Sequence, residues 1–535
     1  MRSLPDIDRR TLRFAYERVL TERPDDVAQT DRVGSATFAA SFERALRLGG
    51  GLSAQGLRPG EPVAVLLDNS LDAVHLWSGI GLTGLVEVPV NTAYLGTFLS
   101  HVLNDSGAQV AVVEGRFLDR LLAVADALTW LRTVVVRGDA DTSGVRGRFR
   151  IVPFAELDTA HPAAPAAVDP STLLAYMYTS GTTGESKGVL ISHAHAYTYA
   201  SREDAERPRF GDRMLVTLPL FHLAGKCFGV YQSLIHQVHC VLEPGFSVGG
   251  FWDVVRTHGI TVTGLLGVMG ELLWRQAARP DDADNPLEFT VMAPLPVNVA
   301  GFRARFGIEV AVAYGMSEIG CVLNGAPDTI VGGECGFPRA EYELRLVDPD
   351  GRDVTRGEMG ELWVRPEYPQ IAMAGYHNLP DHTAATVRDG WIHTGDAFRR
   401  DEQGRYYFAD RLKDALRRRG ENISSFEVER VIDEFPGVAE SAVLAVPSEL
   451  TEDDILAVVV PAPGRDHEPI DPAELIRFLM DRLPYFMVPR YIEVVAELPK
   501  TPTQKVRKNV VRERGVGASV WDREAAGIVV RRATS

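Results

Sequence analysis

Between Tyr178 and Val189 the chain reads YTSGTTGESKGV. Thr179, Ser180, Thr182 and Thr183 offer hydroxyls, while Gly181, Gly184 and Gly188 leave the backbone free to turn successive N–H groups toward one point. Lys187 adds a positive charge. A loop of this composition can wrap an anion, a phosphate above all. The apolar run LLAYM directly before it places the loop where a strand should end. The spacing is not that of a GxxxxGK[ST] loop, because Ser186 precedes the lysine and Gly188 follows it. These residues by themselves also read as a plain glycine-serine turn.

The elements that must hold such a loop are legible around it. From Glu61 onward short apolar runs alternate with helical stretches: PVAVLLD then LDAVHLWSGIGLTG, VEVPV then TFLSHVLNDSG, and AQVAVVE. The rhythm predicts parallel strands covered by helices, and it continues at RMLVTLPL, HCVLEPG, TVTGLLG and EVAVAYG. Reactive loops of such sheets lie beyond the carboxyl ends of the strands. After about Gly336 the residues alternate, in YELRLVDPDGRDVTRGEMGELWVRP and GRYYFADRLKD, which predicts antiparallel strands or a small barrel. From Asp414, helix-like SSFEVERVIDEF, strand-like AESAVLAVP and DILAVVVPA, and helical DPAELIRFLMDRL predict a small domain of about 120 residues. The expected fold class is α/β: a large N-terminal domain, 1–411, of stacked, mostly parallel sheets with helices plus a small β-barrel-like part, and a small α+β C-terminal domain, 412–535.

Bulk properties narrow the function. The 535 residues are 45% hydrophobic and 24% charged, with a net charge of −16, an ordinary globular balance with room for several structural units. So acidic a chain lacks the basic face of a general nucleic-acid binder, and an anionic ligand must be held by local arrangement. Cys227, Cys240, Cys321 and Cys335 show no CxxC pairing, as expected in a reducing compartment. The charged N-terminus has no signal-peptide pattern, and no apolar run approaches the roughly 18 residues of a membrane span. A cytoplasmic protein is the expectation.

YTSGTTGESKGV closely resembles the pyrophosphate-binding signature of the adenylate-forming (AMP-binding) superfamily, which includes acyl-CoA synthetases, luciferases and peptide-synthetase adenylation domains. Further stretches match in order: PLFHLAG at Pro219, AYGMSE at Ala313, GELWVR at Gly360, WIHTGD at Trp391, FADRLKDALRRRGENISSFEVE at Phe408 and LPKTPTQKVRK at Leu498. RRRGENISSFEVE and the tail WDREAAG are most similar in wording to the branch around crotonobetaine/carnitine–CoA ligases.

The resemblance implies an AMP-forming ligase of acyl-CoA synthetase type that uses ATP and Mg2+. By it, Thr179, Ser180, Gly181, Thr182, Thr183, Gly184 and Lys187 would cradle the β- and γ-phosphates. Ala293, Tyr314, Gly315, Met316 and Ser317 would receive the rest of the nucleotide, Tyr314 offering a flat face to adenine and Ser317 a hydroxyl to the α-phosphate. Asp396 and Arg411 would hold the ribose, and Glu318 matches the metal-binding glutamate, a ligand type that hard magnesium accepts beside phosphate oxygens and water. Lys505 matches the catalytic lysine that bridges carboxylate and α-phosphate, where a compact ammonium offsets the charge of displacement. Gln504 stands where relatives usually carry glycine.

Lys413 falls at the hinge about which the small domain of relatives swings, so that Lys505 serves the first half-reaction and an acceptor-side face near Gly420 the second. His222 resembles the aromatic gate between the acyl pocket and the acceptor tunnel. Lys226, four residues on, is expected on the same helical face, either reaching the acid pocket or snorkelling at the surface. Val291 and Met292 replace a glycine pair of many relatives and are expected near adenine.

The implied reaction joins a carboxylic acid to ATP as an acyl-adenylate, and CoA then yields acyl-CoA. A second reading keeps the adenylate but changes the second step: amide formation, carrier loading, or nitrite-dependent diazotisation of an aromatic amine in secondary metabolism. A third class, a non-catalytic nucleotide-binding module, is at odds with the presence of every charged motif residue. The expected partners are a small carboxylic acid, ATP and CoA, with no nucleic acid and no membrane span. AGKCFGVYQSL, TGLLGVMG and EIGCVLNG are apolar enough for an aliphatic or aromatic acid.

Overall fold

The computed structural model describes residues 4–144, 147–158, 161–179, 185–201, 207–296, 298–348, 350–411, 415–418, 421–448, 453–462, 470–499, 506, 508–517 and 519–530, with the backbone alone for 409–411, 415, 417, 421–422, 424, 426–427, 430 and 509. The chain folds into two compact units. One takes in Met1–Thr92, Val102–Tyr178 and Gly188–Asp410; the other takes in Ala93–His101, Thr179–Lys187 and Arg411–Ser535.

Two large sheets carry the first unit. Among the described residues, one has nine strands in the spatial order Phe337–Pro338, Gly320–Gly325, Glu309–Met316, Phe289–Ala293, Val262–Leu266, Arg213–Val216, His239–Leu242, Val27–Thr30 and Ser35–Thr37. Its interior pairs are parallel and its edges antiparallel. The other has seven, in the order Arg150–Pro153, Thr133–Arg137, Val110–Glu114, Pro62–Leu66, Val86–Pro89, Leu173–Thr179 and Lys187–Ser192. The interior strands are near-continuous runs of buried aliphatic residues, as strands covered on both faces must be. One core draws Val63, Leu76, Val112 and Val135 together with Val216, Tyr231, Cys240 and Ala311, so both sheets share it.

The helix Leu71–Leu82 lies in that core. Ser70 starts it by accepting the Ala73 N–H, which satisfies one of the donors a helix N-terminus leaves open. Nearly every residue along it is buried, the mark of a helix enclosed on all sides.

A third sheet of the first unit is antiparallel. Tyr342–Val347, Met359–Pro366, Trp391–Arg400 and Val387–Arg388 are neighbours in turn, and Tyr406–Arg411 pairs with Trp391–Arg400. It curls into a half-barrel, the counterpart of the barrel-like part expected from the alternating sequence. The second unit is α+β. Val438–Pro447, Asp453–Pro461, Tyr491–Val494 and Trp521–Asp522 make its sheet, flanked by the helices Ser425–Asp433, Pro472–Met480 and Lys508–Arg514. Among the described residues no helix is long and apolar enough to cross a membrane.

Candidate active site

The strand Glu309–Met316 is third from one edge of the nine-stranded sheet, and its register shifts by a bulge between Tyr314 and Gly315. A Cβ on Gly315 would stand 2.2 Å from the Gly320 carbonyl oxygen, so only glycine permits this close return of the chain. Gly320 itself has φ +76°, a backbone that side chains disfavour. Between these glycines the turn at Ser317 and Glu318 projects from the strand's carboxyl end, where ligands of open α/β sheets bind.

Two hydrogen-bonded pairs form at this strand end and its turn. Tyr314 Oη donates to Asp396 Oδ2 at 2.6 Å, and its ring meets Phe398 edge to face at 4.7 Å. Asp396, 3% exposed, comes from the half-barrel strand Trp391–Arg400. It follows Gly395, whose N–H donates to Glu361 at 2.9 Å and whose φ is +71°. Glu318 is 8% exposed and accepts the Tyr376 phenol on Oε1 at 3.0 Å. Burial, reinforced by the Glu318 charge, pushes the Tyr376 phenol far above its ordinary value, so Tyr376 acts as a donor throughout the working pH range.

Tyr376 belongs to a segment that also grips the exit of the glycine-rich loop. Leu190 N–H donates to Gly375 O, Ala374 N–H to Leu190 O, and His377 N–H to Gly188 O at 2.7 Å. The loop's entrance is held from the same side. Tyr178 Oη donates to Asp105 Oδ2 at 2.6 Å, His377 Nε2 lies 3.0 Å from Asp105 O, and Tyr176 stacks on His377 at 4.4 Å. Asp105, Tyr376 and His377 thus couple the two ends of the loop to the metal-candidate Glu318. Sequence reasoning singled out none of them; the signal was only an aspartate closing LSHVLND. Within the second unit, His101 Nε2 stands 2.8 Å from Ser186 O and its Nδ1 3.2 Å from Glu185 Oε2.

The remaining expected residues fall as follows. Thr179 ends its strand and Lys187, half-buried, begins the next. Ser180, Gly181, Thr182, Thr183 and Gly184 lie outside the described residues, as do Lys413, Gly420 and Lys505. Arg411 closes the strand Tyr406–Arg411. Ala293 ends its strand beside Leu266. Met292 is fully buried among Val310, Val312 and Phe302, which corrects the expectation that it packs beside Val291 near adenine: neighbours on a strand face opposite ways.

His222 has extended backbone and only caps the helix that follows. Lys226 opens a π-helical stretch, Lys226–Tyr231, so the two do not share a regular helical face. Lys226 is 5% exposed, not a surface lysine, and pairs with buried Glu87. Burial pushes the Glu87 carboxyl up, and Lys226 pulls it back.

In the second unit Lys508, three residues after Lys505, is anchored to Glu429 Oε1 at 2.5 Å and to Ser425 Oγ at 2.7 Å. Arg490 bridges Asp454 at 2.9 Å and Asp522 at 3.2 Å, which docks the tail strand Trp521–Asp522 against Tyr491–Val494.

The AMP-binding enzyme family matches residues 16–377, and the AMP-binding enzyme C-terminal domain matches 427–505. The chain belongs to the AMP-binding enzyme family, a group of adenylate-forming ligases. It is 33% identical to a feruloyl-CoA synthase of Amycolatopsis sp over 89% of this chain and 94% of that protein. It is 30% identical to the fatty acid–[acyl-carrier-protein] ligase ScoC of Streptomyces coeruleorubidus over 90% and 92%. A crotonobetaine/carnitine–CoA ligase of Citrobacter koseri is 29% identical over 88% and 92%. Among solved structures, the amide bond synthetase McbA from Marinactinospora thermotolerans superposes with a TM-score of 0.81 at 26% identity, over 93% of this chain and 99% of that one. The o-succinylbenzoate CoA synthetase from Bacillus subtilis does so with 0.80 at 25%, over 94% and 98%.

Proposed function

We propose that this enzyme joins a carboxylic acid to ATP as an acyl-adenylate and passes the acyl group to the thiol of CoA. A carboxylate oxygen attacks the α-phosphorus and pyrophosphate leaves; the thiolate sulfur then attacks the carbonyl carbon and AMP leaves. The observation that carries the reading is the Tyr314–Asp396 hydrogen bond at the end of the strand whose turn bears Glu318, together with the segment that holds Glu318 through Tyr376 and bonds Gly188, at the exit of the glycine-rich loop, through His377. In this reading Asp396 and Arg411 hold the ribose, Tyr314 faces adenine, Ala293, Gly315, Met316 and Ser317 line the nucleotide, and the loop from Thr179 to Lys187 receives the terminal phosphates. Lys505 steadies the charge shared between carboxylate and α-phosphate. His222 gates the acid pocket from the acceptor side.

Magnesium fits the donor set. A magnesium ion shared with a triphosphate needs one or two carboxylates and keeps the rest of its shell for phosphate and water. Glu318, buried and oriented by one phenol, supplies such a carboxylate, and no cluster of three acidic, histidine or cysteine side chains stands among the described residues. When bound, the ion would offset phosphate charge. The residues 412–535 act in this reading as a domain that turns about Lys413, bringing Lys505 in for adenylation and the face near Gly420 for transfer.

A second step without CoA has its own support, since ScoC is named for loading a carrier protein and McbA for making amides. Acid-dependent exchange of pyrophosphate into ATP, followed by product mass with and without CoA, decides between them. Acyl-CoA formed only when CoA is supplied is the expected result; a CoA-independent product favours the second reading.

A further inference from the structure

Behind the PLFH turn, inside the first unit, lies a pocket that none of the nucleotide residues uses. It encloses about 350 Å³ of non-atom space, the open solvent at its mouth included. Trp77, Pro89, Leu220 and Phe221 give it apolar walls, and Glu87 and Lys226 border it. It adjoins the gate residue: Phe221 packs on His222 at 4.6 Å, and Lys226 N–H donates to His222 O at 3.0 Å.

Two features set this pocket apart from ordinary core. The first is the ion pair, with Lys226 6% and Glu87 3% exposed as side chains. Removing both charges from water costs several kcal/mol for each ion, about as much as their attraction returns, and apolar residues of equal size usually stabilise at least as well. Packing alone therefore gives no reason for the pair. An ammonium has three donors and a carboxylate about four acceptor sites, so one mutual bond leaves capacity on both. The second feature is the indole of Trp77. Its Nε1 is buried with no hydrogen-bond partner, a costly state for a donor, and its ring lies 5.8 Å from Lys226 Nζ.

The chemistry of the missing partner follows. The pair is neutral as a whole, so a second carboxylate or an alkylammonium brought against it would be an uncompensated charge in the interior. A neutral group that both gives and takes a hydrogen bond fits: it can donate to Glu87 and accept from Lys226 or from the Trp77 indole. The body carrying it must be apolar and suited to aromatic walls.

We infer that this pocket is the distal end of the acid site and that Glu87, Lys226 and Trp77 select an aromatic acid bearing a neutral hydroxyl or amino group. The inference rests on the acid-activation reading above. A site built to bond a hydroxyl or amine rejects the analogue lacking it far more strongly than an apolar pocket rejects a missing methylene.

The test uses the full chain and a panel of benzoic and cinnamic acids, each unsubstituted or with a ring hydroxyl, amino, carboxyl or trimethylammonio group. Pyrophosphate exchange gives kcat/KM, and calorimetry gives acid binding directly. Wild type should favour the hydroxy or amino acids at least about tenfold over the plain ring, and reject the charged ones. Because one member of the pair left alone would destabilise the fold, the diagnostic variant is the double Glu87→Gln/Lys226→Met, in which that preference should shrink below about threefold. Trp77→Phe, which keeps a ring, should weaken the same acids by a smaller factor. A double variant that keeps the wild-type preference, or a wild type that prefers plain or charged acids, overturns the inference. Pair-dependent binding without any exchange would instead uphold the pocket and strike down adenylation, so the two claims fail separately.

Discussion

The phenol of Tyr314 donates to the carboxylate of Asp396 at 2.6 Å, tying the end of a parallel strand to the curled antiparallel sheet. Asp396 is 3% exposed, and a hydrogen bond to a charged group there is worth about 1.5–3 kcal/mol. Tyr314→Phe should therefore loosen the carboxylate and raise the KM for ATP by about tenfold. Asp396→Asn should raise it further if, as proposed, the ribose loses a charged acceptor. Initial rates across an ATP titration check both, and an unchanged KM in Asp396→Asn would remove that residue from the nucleotide site.

Glu318 and Tyr376 give a second prediction. Glu318→Gln keeps the shape and the phenol's hydrogen bond but removes the charge. Pyrophosphate exchange should fall by about a hundredfold or more, with half-saturation shifted to higher magnesium, a loss on the order of 3 kcal/mol. Tyr376→Phe leaves the charge and removes its orientation, so a milder loss of a few fold is expected, without the same magnesium shift. Equal magnesium curves for wild type and Glu318→Gln would contradict the metal role.

Three buried histidines predict how stability responds to acid. Burial lowers His75 and His193 from 6.5 to about 4, and His195 to about 3. Unfolded, each takes up a proton near pH 6.5; folded, each stays neutral to a lower pH. The unfolded state then binds more protons between these values, so stability is full above about pH 7 and declines as pH falls from 6.5 toward 4. The slope is up to about 1.4 kcal/mol per pH unit for each such group. Both ring nitrogens of His195 are buried without a hydrogen-bond partner. A Tm series from pH 8 to 5 should fall at the acid end, and more gently in His195→Leu; parallel curves would mean that His195 does not titrate on unfolding.

Much of this was legible in the sequence, for local reasons. PVAVLLD, AQVAVVE, TVTGLLG and EVAVAYG all became strands, because an unbroken aliphatic run between turn residues has few other places to go. Of the motif residues, Tyr314 and Asp396 do meet, and Glu318 stands on the turn that follows the Tyr314 strand. What sequence could not show is long-range. Asp105 and His377 are 272 positions apart, and Lys226 finds Glu87 across 139, so a lysine with the spacing of a surface residue proved to be buried. The pairing of Val291 with Met292 failed on strand alternation, and that of His222 with Lys226 failed because the helix begins after His222 and opens into a π-turn.

The most direct test of the account follows an oxygen atom. With a substrate acid labelled with 18O in its carboxylate, attack on the α-phosphorus carries one labelled oxygen into AMP when the acyl group is transferred. Mass spectrometry should find one 18O in each AMP released, and Lys505→Ala should form this labelled AMP far more slowly. Unlabelled AMP, or ADP as the nucleotide product, would contradict activation through an acyl-adenylate.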